Sequence, residues 1–210
     1  IVDSLVGSEM CIRDRFGFYG NKFGGNYCAE TMRKPIEDLS KLFEKLRKDK
    51  KFLKKRDHYF QHYLGGETPF FKLENLTRHL GGAQIWCKDV SAINGDAHKA
   101  YHATVNALIC KESGKRYIAG DTGAGMFGKN LAMAAKKMNL KCKIFMGTKD
   151  ISRQAPNVKF MRDAGAEVVP VDSGSKTLVD AVSECMRHYV SNCDNTPVSY
   201  THLRAHETVD

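Results

Sequence analysis

Hydrophobic and polar positions change their period several times along this chain, and each change predicts an element. Ile36, Leu39, Phe43 and Leu46 recur at helical spacing. They predict a helix from about Pro35 to about Lys48, with Pro35 in the first turn, where a missing N–H is tolerated. A second helix is predicted over Phe52–Leu64, ended by Gly65-Gly66. Thr68-Pro69 opens an extended piece, Pro69–Lys72. From there strand-like and helix-like stretches alternate: strand Gln84–Lys88, helix His98–Lys111, strand Arg116–Ala119, helix Met126–Met138, strand Cys142–Met146, helix Asn157–Ala164, strand Glu167–Val171 and helix Ser175–Val190. Such alternation predicts an α/β fold of three layers, a parallel sheet with helices on both faces. In sheets of this kind ligands sit at the C-terminal ends of the strands. Phe16–Tyr27, rich in glycine and aromatic residues, reads as an irregular leading loop.

Composition narrows the classes. An apolar fraction of 42% is enough to bury a core. The net charge of +9 would invite a nucleic-acid partner. However, many of the lysines fall in Lys41–Lys55, where they alternate with leucine and phenylalanine as on the solvated face of a helix; no nucleic acid is expected. The seven cysteines include no pair with CxxC spacing. His58/His62 and His98/His102 stand at i, i+4 without cysteines to complete a ligand set, so no metal site is expected. Reduced thiols and a cytoplasmic location fit best. No run of about 18 apolar residues exists to span a membrane, and Asp3 and Glu9 break up the opening stretch, so it does not read as a signal peptide.

The two ends do not fit the pattern between them. Met10–Arg15 and Val198–Thr208 resemble translated sequencing-adaptor DNA. Residues 1–15 and 197–210 are therefore expected to be foreign tails. Between them we expect a helical and loop segment, 16–83, and an α/β domain, 84–196.

Three stretches could carry chemistry. Asn94–Lys99 is a glycine-containing loop that feeds a helix start with a lysine in its first turn. Helix starts carry positive potential, which disfavours an ammonium, and a neutral amine is what Schiff-base chemistry needs; an ordinary surface lysine is the plainer alternative. Ala119–Gly128 joins an apolar strand to a helix, and its glycines let backbone amides face a carboxylate or phosphate. Gly123, Gly125 and Gly128 also match GxGxxG, and Asp150 follows, so a dinucleotide site is a rival. Against that rival, Asp121 and Thr122 separate the strand from the first of these glycines. The third stretch, Met146–Asn157, is a strand end with polar residues, among which Asp150 and Arg153 could pair across one turn.

Taken in order, these stretches resemble the tryptophan synthase β subunit, a pyridoxal-phosphate (PLP) enzyme of fold type II. The resemblance takes in Phe23–Tyr27, Gly66–Pro69 and a long string from Met146-Gly147 through Asp150, Arg153-Gln154, Pro156-Asn157-Val158, Met161, Gly165–Val168 and Pro170-Val171 to Ser173–Ser175 and Thr177-Leu178. It covers nearly all of Phe16–Thr196. It implies that Lys99 carries PLP covalently and takes the α-proton of the bound amino acid. It also implies that His98 lies near the cofactor phosphate, and that Thr122, Gly123, Ala124 and Gly125 bind the substrate carboxylate. Asp121 stands where the family has its catalytic glutamate, Met126 and Phe127 where it has Gln and His. Val90 and Ser91 replace an acidic pair, and Tyr101 an Asn. The implied reaction is condensation of L-serine with indole, with an α subunit and a homodimer partner. Another β-replacement or β-elimination, or a non-catalytic binding module, are the alternatives. The resemblance further implies that the chain stops before the glycine-rich phosphate cup and the partner of the pyridine nitrogen, so that alone it holds PLP poorly.

Overall fold

The structure, a computed structural model, describes residues 18–19, 23–24, 30–192 and 198–199. The chain groups into two compact units, Ile1–Leu39 and Ser40–Asp210. In the first, β1 (Phe18–Tyr19) pairs antiparallel with β2 (Phe23–Gly24). The stretch expected to be irregular therefore holds a short ladder. Helix α1 (Glu30–Leu46) starts at Glu30 and carries Pro35 inside it, not at its start. Proline removes one backbone bond, toward Thr31, and its fixed φ suits a helix. Arg33–Glu30 and Lys34–Asp38 pairs, at 3.7 and 2.6 Å, span the turns around it.

The second unit begins at Ser40, within α1, and continues with α2 (Lys50–His62), capped by Asp49, whose carboxylate accepts the Lys51 N–H at 2.8 Å. It buries Phe52 and leaves Lys50, Lys51 and Lys54 exposed, as the charge pattern predicts. Next, β3 (Phe70–Lys72) and β4 (Trp86–Lys88) pair antiparallel across the intervening α3 (Glu74–Leu80). The strand expected at Gln84–Lys88 is thus present but stands outside the parallel sheet. The reason is its connection: α3 is only seven residues long and Gly81 ends it in the left-handed region (φ 63°), so the chain turns straight back beside β3. Helix α3 buries none of its residues, so no apolar stripe announces it.

The main sheet has the order β7 (Glu167–Val171), β6 (Lys141–Gly147), β5 (Tyr117–Asp121), β8 (Val198–Ser199), all parallel. The expected α/β architecture is present here. The helices are α4 (Lys99–Glu112), α5 (Met126–Lys137), α6 (Thr148–Arg153), α7 (Ala155–Asp163) and α8 (Leu178–Asn192). Neighbouring β6 residues show which helix covers which face. Ile144 lies beneath Gly128 of α5, whereas the Phe145 ring sits 5.3 Å from His188 of α8. Successive strand side chains point to opposite faces, so α5 and α8 lie on opposite sides. Strand β5 runs two residues beyond the expected Ala119, because Gly120 and Asp121 continue the register against Ile144 and Phe145. Helix α6, unexpected from the sequence, is short and buries nothing. Helix α8 starts later than Ser175, because Gly174 (φ 55°) and Lys176 (φ 61°) hold left-handed conformations that no helix continues through. The expected tail 1–15 lies outside the described residues, as does 197–210 apart from Val198 and Ser199.

Buried thiols give the core a pH dependence. Burial pushes Cys110 up to about 12, with Lys115 opposing, and pushes Cys142 up to about 12, reinforced by Cys110. Both stay protonated in the folded protein at a pH where an exposed thiol ionises, so the unfolded chain loses its proton first. The stability they contribute is complete below about pH 9 and is lost as pH rises toward about 12. Urea midpoints at several pH values should fall across that window, and Cys142→Ala should flatten the fall.

Candidate active site

The lysine stretch and the glycine turn, nearly thirty residues apart, meet through α5. Gly95 has φ +112°, a conformation that leaves no room for another residue, since an added Cβ would also press on Ala100 Cβ at 2.9 Å. Its carbonyl accepts the Asn130 Nδ2 at 3.1 Å, and the same nitrogen donates to Met126 O at 2.9 Å. One residue earlier on α5, Lys129 pairs with Asp96 at 2.6 Å. One turn beyond Lys99, the His102 ring lies 5.4 Å from Phe127. The starts of α4 and α5 are therefore held side by side. Lys99 is the first residue of α4 and is half-buried, while His98 before it is exposed.

The turn Thr122–Gly125 follows the C-terminal end of β5. Thr122 is buried: its N–H donates to Phe145 O at 3.1 Å and its hydroxyl accepts the Gly128 N–H at 3.3 Å. The hydroxyl thus serves the turn itself. A Cβ on Gly123 would lie 3.2 Å from Leu178, the first residue of α8. Gly125 (φ +86°) packs instead on Asn157 of α7, and Asn157 Nδ2 donates to Ala124 O at 2.9 Å. The turn therefore crosses the rim of the sheet from one helical layer to the other. Helix α5 has no side-chain cap and no acidic residue in its first turn. Its leading N–H groups other than Gly128's look for acceptors outside the helix, which suits a carboxylate.

Asp121 sits elsewhere than the amine. It pairs in register with Phe145, whose ring faces α8, so its side chain lies on the α8 face, only 1% exposed. Cys185 of α8 agrees: its thiol is pushed well up by burial first, then by the Asp121 charge and by Cys142. The structure thus joins Lys99's loop to α5, the helix that follows Gly123–Gly125, and places Asp121 on the other face of the sheet, at the end of β5. At Gly128, read from the sequence as part of a dinucleotide fingerprint, an added Cβ would meet Met161 Sδ at 2.5 Å, Thr122 Cγ2 at 2.9 Å and Ile144 Cγ2 at 3.2 Å, so this glycine lets α5 pack closely on the sheet and on α7. Asp150 faces Arg153 at 4.0 Å. Among the described residues no group of three or more His, Cys, Asp or Glu side chains could hold a metal. A concavity of about 270 Å³ brings Thr68 of the Gly66–Pro69 loop together with Lys88 and Tyr101, two residues beyond Lys99.

Sequence reasoning passed over Asn130 and weighed His102 only as a metal ligand beside His98. The available signal at Asn130 was an amide inside an alanine-rich helix, where asparagine is a poor former unless it has a partner. For a PLP group, the residues present supply a half-buried lysine and a glycine turn leading into a helix start with no side-chain cap. That donor chemistry fits covalent attachment and carboxylate binding.

Comparison with known proteins agrees. Residues 62–206 match the family described as pyridoxal-phosphate dependent enzyme. The chain is 41% identical over 184 residues to the tryptophan synthase beta chains of Acinetobacter calcoaceticus and Acinetobacter baylyi. It is 39% identical over 183 residues to that of Chromobacterium violaceum. These alignments take in 87–88% of this chain but only 45–46% of the relatives, so the chain spans just under half their length. A crystal structure of a pyridoxal 5′-phosphate-dependent aspartate racemase superposes with a TM-score of 0.54 at 21% identity, over 70% of this chain and 44% of that one, which establishes a common fold. With well over half of its length inside the family match, the chain belongs to the pyridoxal-phosphate dependent enzymes.

Proposed function

We propose that the complete gene product joins L-serine and indole to give L-tryptophan and water, with PLP held on Lys99. The observation that carries the reading is the junction of the Lys99 loop with the helix behind the glycine turn, made by Asn130 and Lys129. Relatives named tryptophan synthase beta chain support the choice of reaction. PLP, when bound, draws electrons from the substrate's α-carbon. Lys99 Nζ takes the α-proton, and the amides of Gly123, Ala124 and Gly125 orient the substrate carboxylate. Asp121 gives a proton to the departing serine hydroxyl. Thr122 supports the turn through its hydroxyl, and His98 lies by the cofactor phosphate. We assign an α subunit that supplies indole, a homodimer partner and a cytoplasmic location to the same reading. Among the described residues, no helix is long and apolar enough to cross a membrane.

A second reading, another β-replacement or β-elimination, draws on Asp121 itself, one methylene shorter than the glutamate the resemblance implies there. A reacting group about 1 Å out of place can lower a rate roughly 10²-fold. If indole is the acceptor, Asp121→Glu should raise indole-dependent turnover by about 10-fold or more, measured by tryptophan formation. No rise, with turnover of another serine or cysteine derivative intact, would give the second reading the site.

A further inference from the structure

We propose that Asn130 is a positioning residue for Lys99, a clamp between the lysine loop and the first turn of α5; the proposal rests on Lys99 being the PLP-bearing amine. Asn130 is 3% exposed, so its amide has no water to fall back on. Its nitrogen reaches the Gly95 carbonyl at 3.1 Å and the Met126 carbonyl at 2.9 Å. An amide nitrogen has two protons, so this one nitrogen fills both its donor places, one on the lysine loop and one on the first turn of its own helix. The fit is tight on the oxygen side as well, since Asn130 Oδ1 occupies the space that any Cβ at position 95 would need. Ala100 Cβ closes the same space at 2.9 Å, and Ala100 N donates to Ala97 O at 2.9 Å, which fixes the backbone entering and leaving Lys99.

The adjacent Lys129–Asp96 pair is of another kind. Asp96 is well exposed, and such a pair is screened by solvent and worth little. The buried amide is the contact that sets distance. It ties the loop four residues before Lys99 to the residue that follows Gly125, so the amine and the carboxylate-facing turn share one rigid support. A packing role alone would leave this geometry indifferent to the loss of the two donated bonds, whereas a positioning role makes the amine wander when they go.

Hydrogen exchange, visible circular dichroism and kinetics on the complete gene product test this. In the PLP-free wild type, the amides around Gly95 and Asp96 should exchange at least about 10-fold more slowly than in an unstructured chain, the Asp96 N–H being held on Ile93 O. Fast exchange there would overturn the clamp without any variant. In Asn130→Ala, or in Asn130→Ser if alanine does not fold, exchange around Gly95 and Asp96 should quicken by about 10-fold or more. The visible circular dichroism of bound PLP should weaken, and kcat should fall about 10–100-fold with KM changed by less than about threefold. Leu131→Val, a buried neighbour on the same helix, should lower stability and leave all three readings in place. An Asn130 variant that folds with wild-type exchange and dichroism reduces Asn130 to a packing residue. If the wild type takes up no PLP on Lys99, the assignment of Lys99 fails on that separate result, and the exchange data still judge the clamp.

Discussion

Lys99→Ala is expected to remove the visible absorption of PLP-loaded gene product and to lower its turnover by about 10³-fold or more. Two roles meet in this amine, covalent attachment and removal of the α-proton, and a positioned proton-transfer group alone is worth roughly 10²–10⁴-fold. The fold should survive the change. Position 99 opens α4, the side chain is only half-buried, and alanine is the best helix former. Thermal unfolding should therefore stay near wild type while spectrum and rate collapse together. Borohydride reduction followed by peptide mass analysis supplies the direct check, since the added mass should map to the peptide holding Lys99. A variant that keeps the band and the rate would show that another amine does the work.

Gly147→Ala is expected to be the most damaging single methyl in the fold. Gly147 ends β6 and its φ of −61° suits any residue, so the objection is room. An added Cβ would meet the Lys176 backbone, with its carbonyl carbon at 2.5 Å and Thr177 Cα at 2.6 Å. That backbone cannot step aside. Lys176 is held left-handed, its N–H donates to Ser173 O at 3.0 Å, and its carbonyl accepts Lys149 N–H at 3.2 Å. Thr177 O in turn accepts the Asp180 and Ala181 N–H groups at 3.1 Å at the start of α8. Overpacking against fixed backbone costs about 3 kcal/mol or more, a drop in Tm of roughly 6–12 °C for a domain of this size. Gly82→Ala, which meets nothing within 4 Å, should change Tm little and serves as the control.

The sequence announced the elements whose apolar positions became core. Leu131, Ile144, Met146 and Met161 are all but completely buried, and the periods they set placed α5, β6 and α7 within a residue or two. Glu167–Val171 matched to the residue. Helices α3 and α6 left no trace because they bury nothing, and periodicity is only a record of burial. The β3–β4 pairing was invisible for a different reason: strand partners are chosen by the connection between them, which here held an unseen helix. At the site, local chemistry marked the Lys99 loop and the glycine turn only as candidates, with a surface lysine the plainer reading, and the resemblance alone gave them roles. The side of the sheet on which Asp121 lies could not be read, because it depends on register with Phe145 on another strand. Asn130 was overlooked because its partners, Gly95 and Met126, lie on two separate stretches.

The placement of Asp121 has a consequence for how the site can move. Asp121 closes β5 and Thr122–Gly125 follow it directly, so the buried carboxyl and the turn are carried on one continuous piece of backbone, moored where the Thr122 N–H donates to Phe145 O. A displacement of this segment would carry acid and turn in step, not one past the other.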